Sequence, residues 1–228
     1  MGENVSVIIP AFNEEGRILQ TLEGLKDIES ISEIIVVDDG STDSTYELLK
    51  TVKGITLIHN ERNRGKGYAV KTALDHVKNK YVALLDADLC HSSSDVKRLI
   101  GRIMPGKKRM IIGKLPIPQK KGGFGIVRKV SEWGFFALTS KRPASLLSGQ
   151  RVVPLDFLKN IDIPDGFGFE FKITLEGVKQ GFELHETAVD MRHRETGRDV
   201  RGFLHRGRQC IDILRVIGEE IRNNRLRS

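Results

Sequence analysis

Asp86 and Asp88 stand one residue apart, separated by Ala87, directly after the apolar run of residues 81–85. Where a strand ends, the backbone can turn so that two such carboxylates converge on a hard divalent cation, and ions of that kind are commonly shared with substrate phosphates. The pattern therefore predicts a bound Mg²⁺ or Mn²⁺. Taken alone, Asp-x-Asp also recurs in surface loops, where the acids are solvated or cap a helix. A second acidic pair, Asp38-Asp39, follows another apolar run, residues 34–37, and is expected beside the first. We assign Asp39 to ligand binding, as an acceptor for a base or ribose. The following Ser41 and Asp43 are read as capping residues of the next helix.

Both acidic pairs need strand ends to carry them. Residues 5–9 read as a short buried strand closed by Pro10 and followed by a polar turn into a helix beginning near Glu14. Residues 34–37, 55–59 and 81–85 supply three more strands, with helices through Leu49 and over residues 67–77 between them. Strand and helix alternate four times, which implies an α/β domain with a mostly parallel sheet flanked by helices, its ligands gathered at the carboxyl ends of the strands. The second half is less regular. Residues 107–109 form a basic cluster, and the Gly-, Pro- and Lys-rich stretch 114–129 reads as a substrate-facing loop. Cys210, Leu214, Ile217 and Ile221 follow helical spacing amid arginines, so residues 205–228 are expected as a basic amphipathic helix appended to a domain of residues 1–204. Such a helix packs on its own domain more often than on lipid.

Composition bounds these readings. A length of 228 residues, 39% hydrophobic and 29% charged, suits one domain with a sizeable core. Two cysteines provide no disulfide framework, the first ten residues lack a signal-peptide pattern, and no apolar run approaches the roughly 20 residues that span a bilayer. A cytoplasmic protein, peripheral at most to the membrane face, is expected. The net charge of +7 favours anionic partners. Zinc-finger spacing, aromatic ribonucleoprotein motifs and long basic runs are missing, so phosphates on small molecules or lipid headgroups fit better than nucleic acid.

Four segments now fall into a familiar order. Ile8-Ile9-Pro10-Ala11-Phe12-Asn13-Glu14-Glu15, Val36-Val37-Asp38-Asp39-Gly40-Ser41-Thr42-Asp43, Asn63-Arg64-Gly65-Lys66-Gly67 and Asp86-Ala87-Asp88 resemble successive motifs of the family 2 inverting glycosyltransferases. The second half is similar to dolichyl-phosphate mannose synthases and related polyprenyl-phosphate glycosyltransferases, through Leu146-Leu147-Ser148-Gly149-Gln150-Arg151, Gly166-Phe167-Gly168-Phe169-Glu170 and Arg192-His193-Arg194-Glu195-Thr196-Gly197-Arg198. Gly113-Lys114-Leu115 and Asp199-Val200 depart from that group's pattern where phosphate contacts are expected.

The resemblance implies a GT-A nucleotide-binding fold and a metal-dependent transfer from a nucleoside diphosphate sugar, UDP- or GDP-linked, to a phosphate-bearing acceptor. Pro10, Ala11, Phe12, Glu14 and Asp39 would hold the nucleoside. Asp86, Ala87 and Asp88 would contact the ribose and the diphosphate-bound metal, with His193 as a third ligand. Lys66 would support a phosphate or ribose, or is an ordinary solvated turn residue. Arg151 and Arg194 would meet the diphosphate or acceptor phosphate, a task that suits guanidinium groups. Glu170 would be the base toward a hydroxyl acceptor. Toward a phosphate acceptor, which needs no base, it would orient a basic side chain such as Arg151. Polyprenyl phosphate is the first acceptor expected and a soluble hydroxyl or phosphorylated small molecule the second. A non-catalytic binder of phosphate or nucleic acid is the third reading, and it leaves the strand-end aspartates without a purpose.

Overall fold

In the computed structural model, which describes residues 3–116, 125–166, 168–192 and 200–225, four parallel strands account for the first half. They are β1 (Val5–Ala11), β2 (Ile31–Asp38), β3 (Thr56–His59) and β4 (Tyr81–Leu84), interleaved with α1 (Ile18–Glu23), α2 (Thr45–Lys50) and α3 (Lys66–Leu74). β1 is central, paired with β2 through Ile9 opposite Val36 and with β4 through Ile8 opposite Leu84. Its residues alternate between two cores, as the pleat requires. Val7 and Ile9 pack with Leu22, Leu49 and Leu99, whereas Ile8 packs on the other face with Val70, Phe169 and Ile173. Both faces are covered, which explains why these strands read as unbroken apolar runs.

α1 begins at Ile18 rather than near Glu14, and the cause is local. The backbone N–H groups of Asn13, Glu14 and Glu15 donate to the side chains of Ser41 (2.9 Å), Thr45 (2.8 Å) and Asp43 (3.3 Å). Asn13 takes a left-handed φ of 56°, and its Oδ1 accepts from the Thr42 N–H at 2.8 Å. The turn after β1 is thus latched to the turn after β2, and the helix starts only once the latch ends.

The second half adds α4 (Val96–Ile100), β5 (Arg109–Lys114), α5 (Gly125–Thr139), β6 (Arg151–Pro154), α6 (Leu155–Lys159), α7 (Phe169–Lys179), β7 (Glu183–Ala188) and α8 (Val200–Arg225). The seven-stranded sheet has the order β3-β2-β1-β4-β6-β5-β7, and β6 alone runs against its neighbours. The basic cluster at 107–109 opens β5, where Arg109 forks onto Glu183 of β7 at 2.8–3.0 Å. The stretch expected as a loop over 114–129 already turns helical at Gly125.

α5, α7 and α8 enclose a third core of Val127, Phe135, Leu146, Phe171, Leu175, Ile213, Val216 and Ile217. Phe135 meets Phe171 edge-on at 5.7 Å between centroids, a favoured aromatic geometry. The tail helix therefore packs on its own domain, and α8 runs continuously through position 204. Its buried line is Ile213, Val216, Ile217 and Glu220; of the stripe expected from spacing, Leu214 and Ile221 stay exposed. Glu220 is tied to Lys172 and Lys179 of α7. Among the described residues, no helix is long and apolar enough to cross a membrane.

Candidate active site

The parallel strands β1, β2 and β4 deliver their carboxyl ends to one edge of the sheet, and the reversed β6 brings its first residue, Arg151, to the same edge, opposite Leu84. Asp86 lies just past the end of β4. Lys66, the first residue of α3, donates to Asp86 Oδ1 and to Glu170 Oε1, the latter at 2.7 Å. Gln150 clamps the same aspartate from the other side: its Nε2 donates to Asp86 Oδ2 at 2.6 Å, and its Oε1 accepts from the Asp86 N–H at 3.1 Å. Burial works against the charge of Lys66, but Asp86 and Glu170 outweigh it and hold the ammonium above the ordinary lysine range. Lys66 of α3 and Gln150, just before β6, thus hold one carboxylate between them, and Lys66 links it to Glu170 in the first turn of α7.

The close fit demands small residues. A Cβ on Gly149 would stand 2.6 Å from both Asp86 Oδ2 and Lys66 Nζ. Gly65 precedes Lys66 with φ of 102°, and a side chain there would meet the Asp165 carbonyl at 2.6 Å. That carbonyl accepts from the Gly67 N–H at 2.9 Å, tying the start of α3 to the turn that leads into α7.

Behind Asp86, the turn is moored to α1 by Thr21. Its hydroxyl donates to the Ala87 carbonyl at 2.7 Å and accepts from the Cys90 N–H at 2.9 Å. Ala87 is buried, whereas Asp86 and Asp88 are half-buried at the mouth of the site. Their oxygen donors suit Mg²⁺ or Mn²⁺, which take further ligands from a diphosphate and water. Among the described residues no group of three or more His, Cys, Asp or Glu gathers as a metal site.

The β2 end is built differently. Asp39 is 3% exposed, and both its oxygens are engaged: Oδ1 accepts from the Asn60 amide at 2.8 Å, and Oδ2 from the Arg64 and Gly65 N–H groups at 3.0 and 2.7 Å. Its own N–H donates to Ala11 O at 2.8 Å. Asp38 is fully buried with Oδ2 against His59 Nδ1 at 2.7 Å, while its Oδ1 has no hydrogen-bond partner among the described residues. Pro10 and Ala11 close β1 beneath this wall, Phe12 projects from it, and Glu14 lies half-buried in the latched turn.

Asp43 accepts from the Thr45 N–H at 2.9 Å and hydroxyl at 2.5 Å. Burial raises its pKa, but the hydrogen bonds from Thr45 and Glu15 outweigh this and hold the carboxyl below its ordinary 3.8.

Arg151 requires a correction. Expected to face a phosphate, it is fully buried, its guanidinium donating to the Ser148 carbonyl, the Glu170 carbonyl at 3.2 Å and Thr174 Oγ1 at 3.1 Å. Burial lowers its pKa to about 10. It props the start of α7 from behind instead of reaching the open site. The Glu170 carboxylate is paired with Lys66, not with Arg151. His193 and Arg194 lie outside the described residues. Two residues here were assigned no role from sequence: Gln150, although it sat within a recognised motif, and Thr21, which carried no signal at all.

Comparison with known proteins agrees with this arrangement. Residues 6–161 match the family described as Glycosyl transferase family 2. "Uncharacterized protein MJ0544" of Methanocaldococcus jannaschii is 31% identical over 210 residues, covering 82% of this chain and 88% of that protein. A dolichyl-phosphate beta-glucosyltransferase of Dictyostelium discoideum is 29% identical over 227 residues, covering 92% of this chain and 60% of that one. Among solved structures, glucosyl-3-phosphoglycerate synthase of Mycobacterium tuberculosis, in complex with Mg²⁺ and UDP, superposes with a TM-score of 0.80 at 21% identity, covering 96% of this chain and 79% of that chain. The same enzyme with Mn²⁺, UDP and phosphoglyceric acid gives 0.79 at 22%, covering 96% and 78%. At such identities these structures speak for the GT-A-like fold alone, but the family match spans most of the sheet and all four motifs, and the chain belongs to glycosyl transferase family 2.

Proposed function

We propose that this glycosyltransferase moves a sugar, with inversion, from a nucleoside diphosphate sugar to the phosphate of a polyprenyl phosphate, working peripherally at a membrane face. The observation that carries the reading is the cluster at the end of β4, where Asp86 is held from both sides and Asp88 stands beside it. Pro10, Ala11, Phe12, Glu14 and the Asp39-anchored turn line the nucleoside side. Asp86, Asp88 and, from the late segment, His193 would hold Mg²⁺ or Mn²⁺. That ion, when bound, offsets the negative charge that grows on the departing diphosphate. Lys66 presents a fixed positive charge next to the same group, and Arg194 would meet the acceptor or donor phosphate. The acceptor oxygen attacks C1 of the sugar, the C1–O bond to the diphosphate breaks, and the nucleoside diphosphate leaves with the electron pair.

The state of Glu170 favours a phosphate acceptor. Its carboxylate is committed to Lys66 and only 12% of the side chain is exposed, a poor arrangement for removing a proton. A phosphate oxygen is already anionic near neutral pH and needs no base. The dolichyl-phosphate enzymes among the relatives support the same acceptor class. The second reading, transfer to a hydroxyl of a soluble phosphorylated molecule, draws on the neighbours solved with phosphoglyceric acid; Glu170 would then have to leave Lys66.

Calorimetric titration with UDP, GDP and their sugar conjugates, in Mn²⁺, Mg²⁺ or chelator, tests the donor half. One nucleotide is expected to bind only with metal. Transfer assays then offer detergent-dispersed polyprenyl phosphate against 3-phosphoglycerate. Transfer to the latter alone would replace the first acceptor reading with the second, and silence toward every nucleotide would overturn both.

A further inference from the structure

Eight large apolar side chains stand exposed among the described residues, and five of them, Trp133, Phe136, Ile211, Leu214 and Ile221, lie on α5 and α8. Their placement follows from helical spacing. A Cβ on Gly134 of α5 would collide with Ile217 of α8, so Gly134 and Ile217 mark the seam between the two helices. Leu214 and Ile221 are three residues before and four after Ile217, and they border the seam on α8. On α5, Val130 and Ala137, four residues before and three after Gly134, border it likewise, with Trp133 between them at 67% exposure. The inner side of the seam is covered by α7, through Phe135 against Phe171 and through Lys172 and Lys179 on Glu220. The exposed apolar side chains therefore share the outer side.

The rim of this patch is basic. Arg215, 72% exposed, and Arg222 follow the apolar line on α8, and Lys129 lies one turn before Trp133 on α5. Arg142 covers the ring of Phe136 at 4.1 Å. Resting on the acceptor reading above, we infer that the outer face of the α5–α8 pair docks on an anionic lipid bilayer. Trp133 would sit at headgroup depth, Leu214 and Ile221 would enter the acyl boundary, and Arg215, Arg222 and Lys129 would meet lipid phosphates. A second copy of the same face fits less well, because a two-fold pairing would bring two sets of these arginines into one interface.

The face is also wired to the site. The inner side of α8 presses Asp212 and Val216 onto Gly166 and Gly168, the turn that leads to Glu170 and whose Asp165 carbonyl holds the start of α3. A bilayer on the outer side of α8 is thus one helix away from the acidic cluster.

The test is cosedimentation of the full chain with vesicles of phosphatidylcholine plus phosphatidylglycerol, and of phosphatidylcholine alone. Binding to the anionic vesicles is expected, falling about tenfold in Trp133→Ser and further in a variant that adds Leu214→Ser and Ile221→Ser. Leu19→Ser, an exposed apolar change on α1, should leave it unaltered. Arg215→Gln with Arg222→Gln should erase the preference for anionic vesicles. Vesicle binding that the triple variant retains would overturn the inference. So would a concentration-dependent dimer, seen by light scattering, that the same substitutions dissociate. Absence of vesicle binding alongside transfer to detergent-dispersed polyprenyl phosphate would remove the docking face and leave the enzymatic reading intact. Vesicle binding through the face without nucleotide binding would do the reverse.

Discussion

Two acidic pairs end neighbouring regions of the same sheet, and they are put to different uses. At the end of β2, Asp38 and Asp39 are buried, and their partners come from the next 26 residues: His59, Asn60, Arg64 and Gly65. At the end of β4, the partners of Asp86 come from 20 and 64 residues away, and Lys66 also reaches a carboxylate 104 residues distant. The first pair shapes a wall by fixing the adjoining loop. The second is a junction where separate parts of the chain meet at an opening. Identical side chains at equivalent strand ends thus sit in different hydrogen-bond settings, one local and one long-range.

The comparison can be broken most sharply at Asp88. Asp88→Asn should lower transfer on the order of 10³-fold and abolish the metal dependence of nucleotide binding, with thermal stability nearly unchanged, because the site is open. Preserved metal dependence would mean that the β4 pair is no more chemical than the β2 pair. Next in size, Gln150→Leu removes one side of the clamp on Asp86, and metal-supported UDP affinity should drop about 10- to 100-fold, as for other groups that orient a metal ligand. If calorimetry instead returns the wild-type affinity, Lys66 alone suffices to hold Asp86.

Asp39→Ala should show the opposite profile. With the Arg64 and Gly65 amides and Asn60 unsatisfied, stability should fall by about 2 kcal/mol in urea titration, while the ratio of nucleotide affinity with and without metal is kept. A changed ratio would place Asp39 in the same functional unit as Asp88. The smallest effect is expected at Asp43, which serves the latch and the start of α2. Its depressed carboxyl contributes stability that is present above its ordinary 3.8 and is lost as pH falls through its lower folded value. Asp43→Asn should therefore flatten the acid limb of the stability curve below about pH 5; an unchanged limb would show that the latch carries no linkage.

The first half of the fold was legible because its strands are covered on both faces and read as continuous apolar runs, each closed by a polar motif. Asp86 and Asp88 could be located for the same reason. Legibility failed where tertiary partners decide. β6 is four residues long and opens with an arginine, so nothing in Arg151-Val152-Val153-Pro154 announces a strand in the middle of the sheet. The same insertion buried Arg151, which motif reasoning had turned toward a phosphate. On α8 the apolar spacing was visible, but two lines fit it, and only the position of α5 selects Ile213, Val216 and Ile217 for the core. Gln150 shows a third kind of limit: an amide becomes a clamp only when both of its ends find the same residue.

The reversal of β6 has a consequence for how the molecule is made. β5 and β7 join the rest of the sheet only through β6, since the order runs β4-β6-β5-β7. A chain emerging from the ribosome can assemble β1 to β4 early, but β5, although already synthesised, has no neighbour to pair with until residues 151–154 arrive and slot in beside β4. Loop closure of that range is slow compared with local pairing. Asp86 and its turn wait equally long for Gln150. A cut before residue 151 would therefore part β1 to β4 from the strand that joins β5 and β7 to them, and Asp86 from Gln150.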